Sequence, residues 1–544
     1  MLQKVPYLLD PANLPAGYWL EYTTTDGQPV SFKDSNIFYS YYLNGKGVAL
    51  SRTQITSFGG FSSGAERIYT CNLPESVSAI GNNAFAGCAR MTSFVISERV
   101  TSIGDEAFAG CSDLETIVLN TLVPPTIHST SFDGCDKLQI IIPSDEASVK
   151  AYLTGDWDSN NLQKIPYLLD PQYIPTGYLI EYTTIDGEPV EFVDNQYAFH
   201  INDNQRGIVV YRKEITSFNG IKSGAERLQT CILPESVSVL EERAFFDCSN
   251  LKNFTIPIKV SRIEEYTFAY SGLTDFIIHE NIRYLGEGAF IGCNKLVNLE
   301  IKPGLQHIGF GSFQYCRGLT TLTLPDTVET LGENGCGAVF LSCEGLTSIT
   351  LSESLIDLGD ETFSFCSKLK SVVIPDGIKK IGHRVFLGCS SLVSVDIPSG
   401  VTEIDEYAFS GCSSLTSVDI PSGVTKIGEY AFSGCSKFNS IEFPEGVESI
   451  GQCVLEYCYD IQRITFPSTL KTLGKNILGD FYRLTEYRTT SIYCKAITPP
   501  QLNGYLLGTI NSDQKPVVMV PSEVVENYRN ARYWKNCSLQ AFQF

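Results

Sequence analysis

Acidic side chains recur at a constant spacing of 23 residues in the second half of the chain, at Asp396, Asp419 and Glu442. A serine stands two positions before each of them, at Ser394, Ser417 and Ser440. Carboxylate and hydroxyl oxygens are ligands that Ca²⁺ prefers, and this ion takes roughly six to eight of them. The spacing is compatible with a Ca²⁺ site, with a surface for a basic partner, or with carboxylates that repeat duplication has left in solvent.

Catalytic motifs are not supported by the rest of the chain. Gly60–Gly64 fits the GxSxG pattern of a nucleophilic serine, but its duplicate Gly220–Gly224 has Lys222 where the serine would be. The 5 histidines are scattered, and none of them forms an HExxH motif. We therefore predict a protein that is not an enzyme and that needs no cofactor, the possible Ca²⁺ apart.

Composition narrows the classes of partner. The 544 residues contain 40 Lys and Arg against 61 Asp and Glu, so the net charge is −21. Such an acidic surface repels phosphate backbones and anionic lipids, which excludes general nucleic-acid binding. The sequence has no apolar run of about 18 residues that would span a membrane, and its first residues lack the features of a signal peptide.

The elements that position the acidic residues follow from an internal repeat. The segment Leu392–Gly411 recurs almost unchanged as Leu415–Gly434. Repeats of about 20–29 residues indicate a solenoid, in which stacked coils bury the face that one coil cannot bury alone. A cysteine marks the same slot of most coils, at Cys88, Cys111, Cys135, Cys248, Cys293, Cys316, Cys343, Cys366, Cys389, Cys412, Cys435 and Cys458.

Within one coil, a short strand precedes a turn. Val418 and Ile420 alternate with Ser417 and Asp419, which is the pattern of a strand with one buried face. Pro421 ends the strand because its nitrogen has no hydrogen to donate. Stacked coils therefore predict a parallel β-sheet on one face of a β-rich solenoid, with strands about 4.8 Å apart.

The chain also contains a duplication, because Leu2–Val30 recurs as Leu162–Val190. We predict two tandem modules, each with a β N-terminal cap, a block of coils and an αβ C-terminal cap. The predicted ranges are 1–54 for the first N-terminal cap, 55–143 for about four coils, 144–165 for the first C-terminal cap, 166–214 for the second N-terminal cap, 215–490 for about 12 coils, and 491–544 for the last cap. Leu2–Val5 matches Leu162–Ile165, so it is either the tail of a preceding module or the start of the first cap.

The 18 cysteines are predicted to be free thiols. Slots in neighbouring coils stand about 4.8 Å apart with parallel Cβ vectors, whereas a disulfide needs Cβ atoms about 3.8 Å apart that converge. We expect no disulfides, and buried thiols that act as small apolar side chains. Zinc is not expected, because no CxxC occurs. Cys336, in a glycine-rich insertion, is the cysteine that we expect to be exposed.

The solvent-facing strand positions form the candidate ligand surface, which we call the strand strip. It offers hydroxyl groups beside the three carboxylates, suited to an extended peptide or a glycan. The strand strip consists of Thr321, Thr323, Ser348, Thr350, Ser371, Ser394, Asp396, Ser417, Asp419, Ser440, Glu442 and Arg463. The same alternation predicts that Thr465 also faces solvent.

The segment Ser410–Cys435, SGCSSLTSVDIPSGVTKIGEYAFSGC, resembles the leucine-rich repeat of BspA-type proteins. YTTTDGQPV at Tyr22–Val30, followed by NGKGVAL, is similar to the opening cap of bacterial members, typical of Bacteroidetes, although similar repeats occur in parasitic protists. The sequence departs from the pattern at Ser271 and Phe481, which lack the cysteine, and in the insertion within Leu331–Cys343. The fold is therefore expected to be a leucine-rich-repeat solenoid.

This resemblance implies an extracellular or cell-surface protein without catalytic residues, which binds host proteins or neighbouring cells. We accordingly predict an adhesion or binding protein whose strand strip engages a protein ligand, such as a host matrix or cell-surface protein. A glycan-binding protein of a nutrient-acquisition system is the first alternative. A structural component of a larger surface or virion assembly is the second.

Overall fold

The computed structural model describes residues 15–43, 45–143, 145–154, 157, 167–168, 174–175, 177–194, 197–203, 206–211, 213–333, 335–479, 490–507 and 517–544. The chain divides into two compact units. The first comprises Met1–Ile180, Gln196–Ile201 and Ile208–Ile215, and the second comprises Glu181–Asn195, Asn202–Gly207 and Thr216–Phe544. Parts of the predicted cap at 166–214 fall in each unit, so the predicted domain boundaries stay predictions.

The first unit opens with an antiparallel sheet that covers the first coil. Its strands are, in spatial order, Ile37–Leu43, Lys46–Ser51, Trp19–Thr24 and Ile68–Asn72. Alternate side chains of Trp19–Thr24 are buried, including Leu20 and Tyr22, because one face of this sheet packs on the coil. A short antiparallel pair, Ser31–Phe32 with Phe61–Ser63, lies beside it.

The coils of the first unit contribute two rows of parallel strands, which we call the front row and the side row. The front row contains Ser93–Ile96, Thr116–Leu119, Gln139–Ile141 and Tyr167–Leu168. The side row contains Ser57–Phe58, Ala79–Ile80, Ser102–Ile103 and Thr126–Ile127. A helix follows at Glu146–Thr154, where the Asp145 carboxylate accepts the Ser148 backbone N–H at 2.9 Å as an N-cap. The matching segments Leu2–Val5 and Leu162–Ile165 lie outside the described residues.

The second unit repeats these elements over a longer distance. The predicted cap at 166–214, parts of which fall in each unit, and the coil after it contain the strands Leu179–Thr184, Glu191–Phe192, Tyr197–Asp203, Arg206–Tyr211, Ile221–Ser223 and Leu228–Ile232. The front row of the second unit contains Asp275–Ile278, Asn298–Ile301, Thr321–Thr323, Ser348–Thr350, Ser371–Val373, Ser394–Asp396, Ser440–Glu442, Arg463–Phe466, Ser491–Cys494, Val517–Pro521 and Ser538–Phe542. Its side row contains Ser217–Phe218, Val239–Leu240, Arg262–Ile263, Tyr284–Leu285, His307–Ile308, Thr330–Leu331, Lys380–Ile381, Glu403–Ile404, Lys426–Ile427, Ser449–Ile450, Thr472–Leu473 and Gln501–Leu502.

Helical structure is a minor part of the second unit. An α-helix at Val525–Asn530 belongs to the last cap, and Trp534 is buried behind it. Short 3₁₀ turns occur in both units, at Ala65–Arg67, Ala225–Arg227, Ser522–Val524 and Trp534–Asn536. Parallel strands and little helix confirm the predicted β-rich solenoid.

The front row has no strand at 251–257 or at 417–419, and the second gap contradicts our prediction of a strand there. Ser417 and Asp419 are exposed and Ile420 is buried, as the alternation predicts, but no strand forms there. Val418 is half-buried, as is Val395 of the preceding coil, which does form a strand, so burial of this side chain does not explain the gap. The side row continues through the same coil, because Lys426 pairs with both Glu403 and Ser449. The side row and the core, rather than the front row, hold this coil in the stack.

A stack of phenylalanine rings fills the centre of the coils. Phe409 is fully buried and lies between Phe386 and Phe432, with ring centroids 5.3 and 5.5 Å away and interplanar angles of 11° and 4°. The cysteine slots stand beside this stack and are buried, as predicted. Each side chain therefore contacts its equivalent in the next coil, which makes burial continuous along the solenoid.

The slot thiols also link one coil to the next. The Cys412 thiol donates a hydrogen bond to the backbone carbonyl of Phe386 in the preceding coil, with sulfur and oxygen 3.2 Å apart. Ten coils repeat this bond at 3.1–3.4 Å. Burial raises the pKa of Cys343 to about 12 and also raises that of Cys412, so these thiols stay protonated donors. Cysteine at this slot thus supplies both apolar volume and a weak hydrogen bond.

Candidate functional site

The front row presents the strand strip to solvent. Thr321, Ser348 and Ser371 illustrate the arrangement, since each alternates with a buried side chain of the same strand. All 12 residues predicted for the strip are exposed. The alternation of a half-buried strand is enough to predict this placement.

Strand pairing brings the strip hydroxyls side by side across neighbouring coils. Thr321 lies opposite Ser348 and Thr323 lies opposite Thr350 in one parallel pair. Ser371 lies opposite Ser394 in the next pair. The strip is therefore built from short paired ladders, and the coil with Ser417 and Asp419 lies between two of them.

Apolar and aromatic side chains interrupt the hydroxyl groups of the strip. Val373 lies opposite Asp396 and is 66% exposed. Thr465, predicted to face solvent, is only 2% exposed. Tyr493 lies opposite Thr465 on the next strand, and the Arg463 guanidinium lies 4.4 Å from the Tyr493 ring centroid. A bulky neighbour at this end of the strip accounts for the burial of Thr465.

An aromatic cluster lies beyond that end of the strip. The rings of Tyr493 and Phe542 are 5.3 Å apart, and those of Phe542 and Phe544 are 5.1 Å apart. Phe544 is 53% exposed. Between Thr321 and Glu442 the strip residues themselves are hydroxyl or carboxylate side chains, so the two chemistries are separated along the front row.

The three carboxylates of the strip differ in their partners. Glu442 forms an ion pair with Lys495, its carboxylate oxygen 2.9 Å from Nζ. Asp396 and Asp419 are exposed, and neither has an ion-pair partner within the part of the chain that the structure describes. In that same part, no group of three His, Cys, Asp or Glu side chains is placed to hold a metal ion. The Ca²⁺ site at Asp396, Asp419 and Glu442 stays a prediction.

Charges on the side row neutralise one another instead. Lys380 pairs with Asp405 at 2.6 Å, and Lys426 pairs with Glu403 at 2.5 Å. Burial raises the pKa of Asp405, but the hydrogen bond from Lys380 outweighs burial and holds that pKa below its usual value. Asp396 and Asp419 of the strip differ from these side-row carboxylates, which are paired.

Comparison with known protein families identifies the repeat. The family model described as BspA type leucine rich repeat region matches residues 35–163, 223–336, 333–436 and 403–494. None of the curated protein sequences compared with the chain matches it. No helix within the described ranges has the length and apolar character needed to cross a membrane.

Several of the solved structures that are similar to the chain are bacterial proteins, some of them described as leucine-rich repeat proteins. One from Bacteroides ovatus ATCC 8483 is 23% identical over 77% of this chain and 87% of that one, with a TM-score of 0.41. The pneumococcal vaccine antigen PcpA is 17% identical over 68% of this chain and 100% of that one, with a TM-score of 0.41. A leucine rich cell surface protein from Faecalibacterium prausnitzii A2-165 is 21% identical over 75% and 94%, with a TM-score of 0.26.

Proposed function

Since the chain belongs to the BspA-type leucine-rich repeat family, we propose that it is a non-enzymatic cell-surface binding protein. Its strand strip would engage an extended segment of a protein ligand, such as a host matrix protein or a protein of a neighbouring cell. The observation that carries this proposal is that the strip exposes hydroxyls beside the unpaired Asp396 and Asp419, whereas the nearby Glu403 and Asp405 of the side row are paired.

The dimensions of the strip suit an extended peptide. From Thr321 to Ser440 the strip crosses six coils, which at about 4.8 Å per step gives a length of about 24 Å. An extended chain covers about 3.3–3.6 Å per residue, so about seven residues would span it. Exposed hydroxyls offer hydrogen bonds along this length, and the two free carboxylates favour a ligand segment that carries Lys or Arg.

The position of the aromatic side chains supports a protein ligand over a glycan on the strip. A sugar ring is bound by stacking on an aromatic face, and such faces occur at Tyr493, Phe542 and Phe544, beyond the hydroxyl section. The hydroxyl section instead resembles the polar, hydrogen-bonding surface that peptide segments use. No observation on the front row favours the assembly role over binding.

The test is a binding screen of the purified chain against immobilised matrix proteins. We expect saturable binding to at least one of them that weakens as salt increases, because rim charges act through screened attraction. The double variant Asp396→Asn and Asp419→Asn should weaken that binding by about 2- to 30-fold, since exposed ion pairs contribute about 0.2–1 kcal/mol each.

A matched control removes two acidic charges outside the strip. Glu353→Gln with Asp376→Asn changes the net charge by the same amount, and both residues are exposed in turns that follow front-row strands. Equal weakening by both double variants would assign the effect to net charge and contradict the strip. If the chain binds none of the matrix proteins but associates with itself, the assembly role would be favoured instead.

A further inference from the structure

A cleft of about 470 Å³ opens in the first unit where the opening sheet meets the first two coils. Its lining combines one indole, two carboxamides, two carboxylates and a guanidinium. We call it the cap cleft and define it by Trp19, Gln54, Asn72, Glu75 and Arg99. Binding sites for small molecules are commonly about 300–1,000 Å³, so the cap cleft is large enough for one.

Strand register explains how the indole and an amide reach the same cleft. Glu21 lies opposite Asn72 in the antiparallel pair of Trp19–Thr24 with Ile68–Asn72. Side chains two apart on a strand point to the same face, so Trp19 stands next to Glu21, beyond the end of the partner strand. The Leu73–Ser76 turn lies there and forms the adjoining wall.

The walls of the cap cleft are held by backbone contacts. The Ile55 N–H donates to the Gly17 carbonyl at 2.7 Å, and the Ser76 hydroxyl donates to the Ile55 carbonyl at 2.8 Å. Gly17 has φ of +89°, and a Cβ there would lie 2.6 Å from the Ser76 oxygen. Only glycine lets the chain close on the turn in this way, so the cleft is fixed by the fold.

Most polar side chains around the cleft have no partner within the described residues. Within the described ranges, the side chains of Trp19, Gln54, Asn72 and Arg99 make no hydrogen bond or ion pair, whereas Glu21 is paired with Lys46 at 3.0 Å. The other two tryptophans behave differently, because the indole N–H groups of Trp157 and Trp534 donate to backbone carbonyls. Four polar side chains thus converge on one space without a partner.

This combination points to a sugar ring. An indole face packs against the C–H face of a pyranose, while carboxamide, carboxylate and guanidinium groups donate to and accept from its hydroxyls. Glu21 and Glu75 place carboxylates at the rim, which disfavours phosphorylated ligands. We propose that the cap cleft binds a saccharide of one or two pyranose rings, stacked on Trp19 and hydrogen-bonded by Asn72, Gln54 and Arg99.

The duplicated module supplies a natural comparison. At the equivalent positions it has Leu179, Glu214, Ile232 and Lys259, so both the indole and the Asn72 amide are replaced by aliphatic side chains. Glu181 and Glu235 keep the carboxylates. The sugar chemistry is therefore confined to the first module, and the second module shows which substitutions the same backbone accepts.

Tryptophan fluorescence reports on this site directly. Trp157 and Trp534 are 2% and 0% exposed, so a ligand-dependent change arises mainly from Trp19. The full chain is titrated with maltose, cellobiose, lactose and a galacturonate disaccharide, the last testing whether Arg99 selects an acidic sugar. We expect saturable quenching or enhancement with at least one of them, with a dissociation constant no tighter than about 10 μM for a ligand of this size.

Two substitutions copied from the second module test the assignment. Asn72→Ile keeps the fluorescent indole and should weaken sugar binding at least tenfold in the fluorescence titration. Trp19→Leu should abolish sugar binding, which is measured by calorimetry because this variant lacks the indole. Tyr69→Leu removes an exposed ring outside the cleft and should bind like the wild type. Circular dichroism of each variant checks that it is folded.

Two results would overturn the proposal: no saturable response to any of the sugars up to about 20 mM, or wild-type affinity in both Asn72→Ile and Trp19→Leu. The outcome is independent of the strand strip. The Asp396 and Asp419 double variant should retain sugar binding, and Trp19→Leu should retain binding to a matrix protein.

Discussion

The phenylalanine stack should contribute more to stability than the burial of its rings alone. Phe409 contacts two neighbouring rings, Phe386 and Phe432, at 5.3 and 5.5 Å. Aromatic pairs contribute about 0.5–1.5 kcal/mol beyond area burial. Phe409→Leu loses two such pairs and changes the shape of a filled core, which costs about 1 kcal/mol more. We therefore expect local destabilisation of about 2–4 kcal/mol.

Hydrogen exchange measured by mass spectrometry is the suitable assay, because repeat arrays open coil by coil and a single melting temperature does not describe them. A loss of 2–4 kcal/mol corresponds to about a 30- to 1,000-fold faster exchange of protected amides in Leu392–Cys435. Val393→Ala in the same coil is the control. Val393 is 51% exposed, and surface substitutions usually change stability by no more than about 0.5 kcal/mol.

A double-mutant cycle separates stacking from burial. Phe409→Leu and Phe432→Leu should show a coupling energy of about 0.5–1.5 kcal/mol, because the double variant loses their shared contact only once. Additivity within about 0.3 kcal/mol would refute the reasoning, since it would mean that each ring contributes only its own burial.

Two further predictions concern the cysteines and the Ca²⁺ site. In the native protein at pH 8, a thiol reagent should modify Cys336 quickly because this thiol is exposed, and Cys336→Ser should remove the fast phase. After unfolding without reductant, all 18 thiols should react with the reagent. A lower number of reactive thiols would contradict the absence of disulfides. Calorimetric titration of Ca²⁺ should give no binding heat with the wild type or with Asp419→Ala, because Lys495 already neutralises Glu442. Saturable heat in the wild type that is lost in Asp419→Ala would instead establish the Ca²⁺ site.

Features that depend on one coil and its repeat were predictable from the sequence. The constant spacing of the cysteine slot fixes which side chains meet in the stack, and alternation around Val372 or Ile441 fixes which face water. Contacts of this kind join residues one repeat apart, such as Cys412 and Phe386, so the period itself predicts them. The fold class therefore follows from periodicity.

Contacts between residues far apart in the sequence, and differences between similar coils, were not predictable from the sequence. Lys495 neutralises Glu442 although 53 positions separate them, and Tyr493 accompanies the burial of Thr465. The interruption at 417–419 occurs in one of two nearly identical coils, so the local sequence gives no signal for it. The cap cleft combines Trp19 with Arg99, which belong to different elements and share no motif.

The repeated core and the variable exposed side chains have separate roles, and this separation explains how the two modules can diverge. Many hydrogen bonds between coils involve backbone groups and the slot thiols, and these bonds place no demand on the exposed side chains of the front row. Trp19 in the first module and Leu179 in the second occupy equivalent strands with the same alternating burial, although their chemistry differs. A binding site on this solenoid can consequently be gained or lost by one or two surface substitutions. For that reason, exchanging residues between the modules is a sharper test of function than removing a coil, which would break the ring stack and the thiol bonds together.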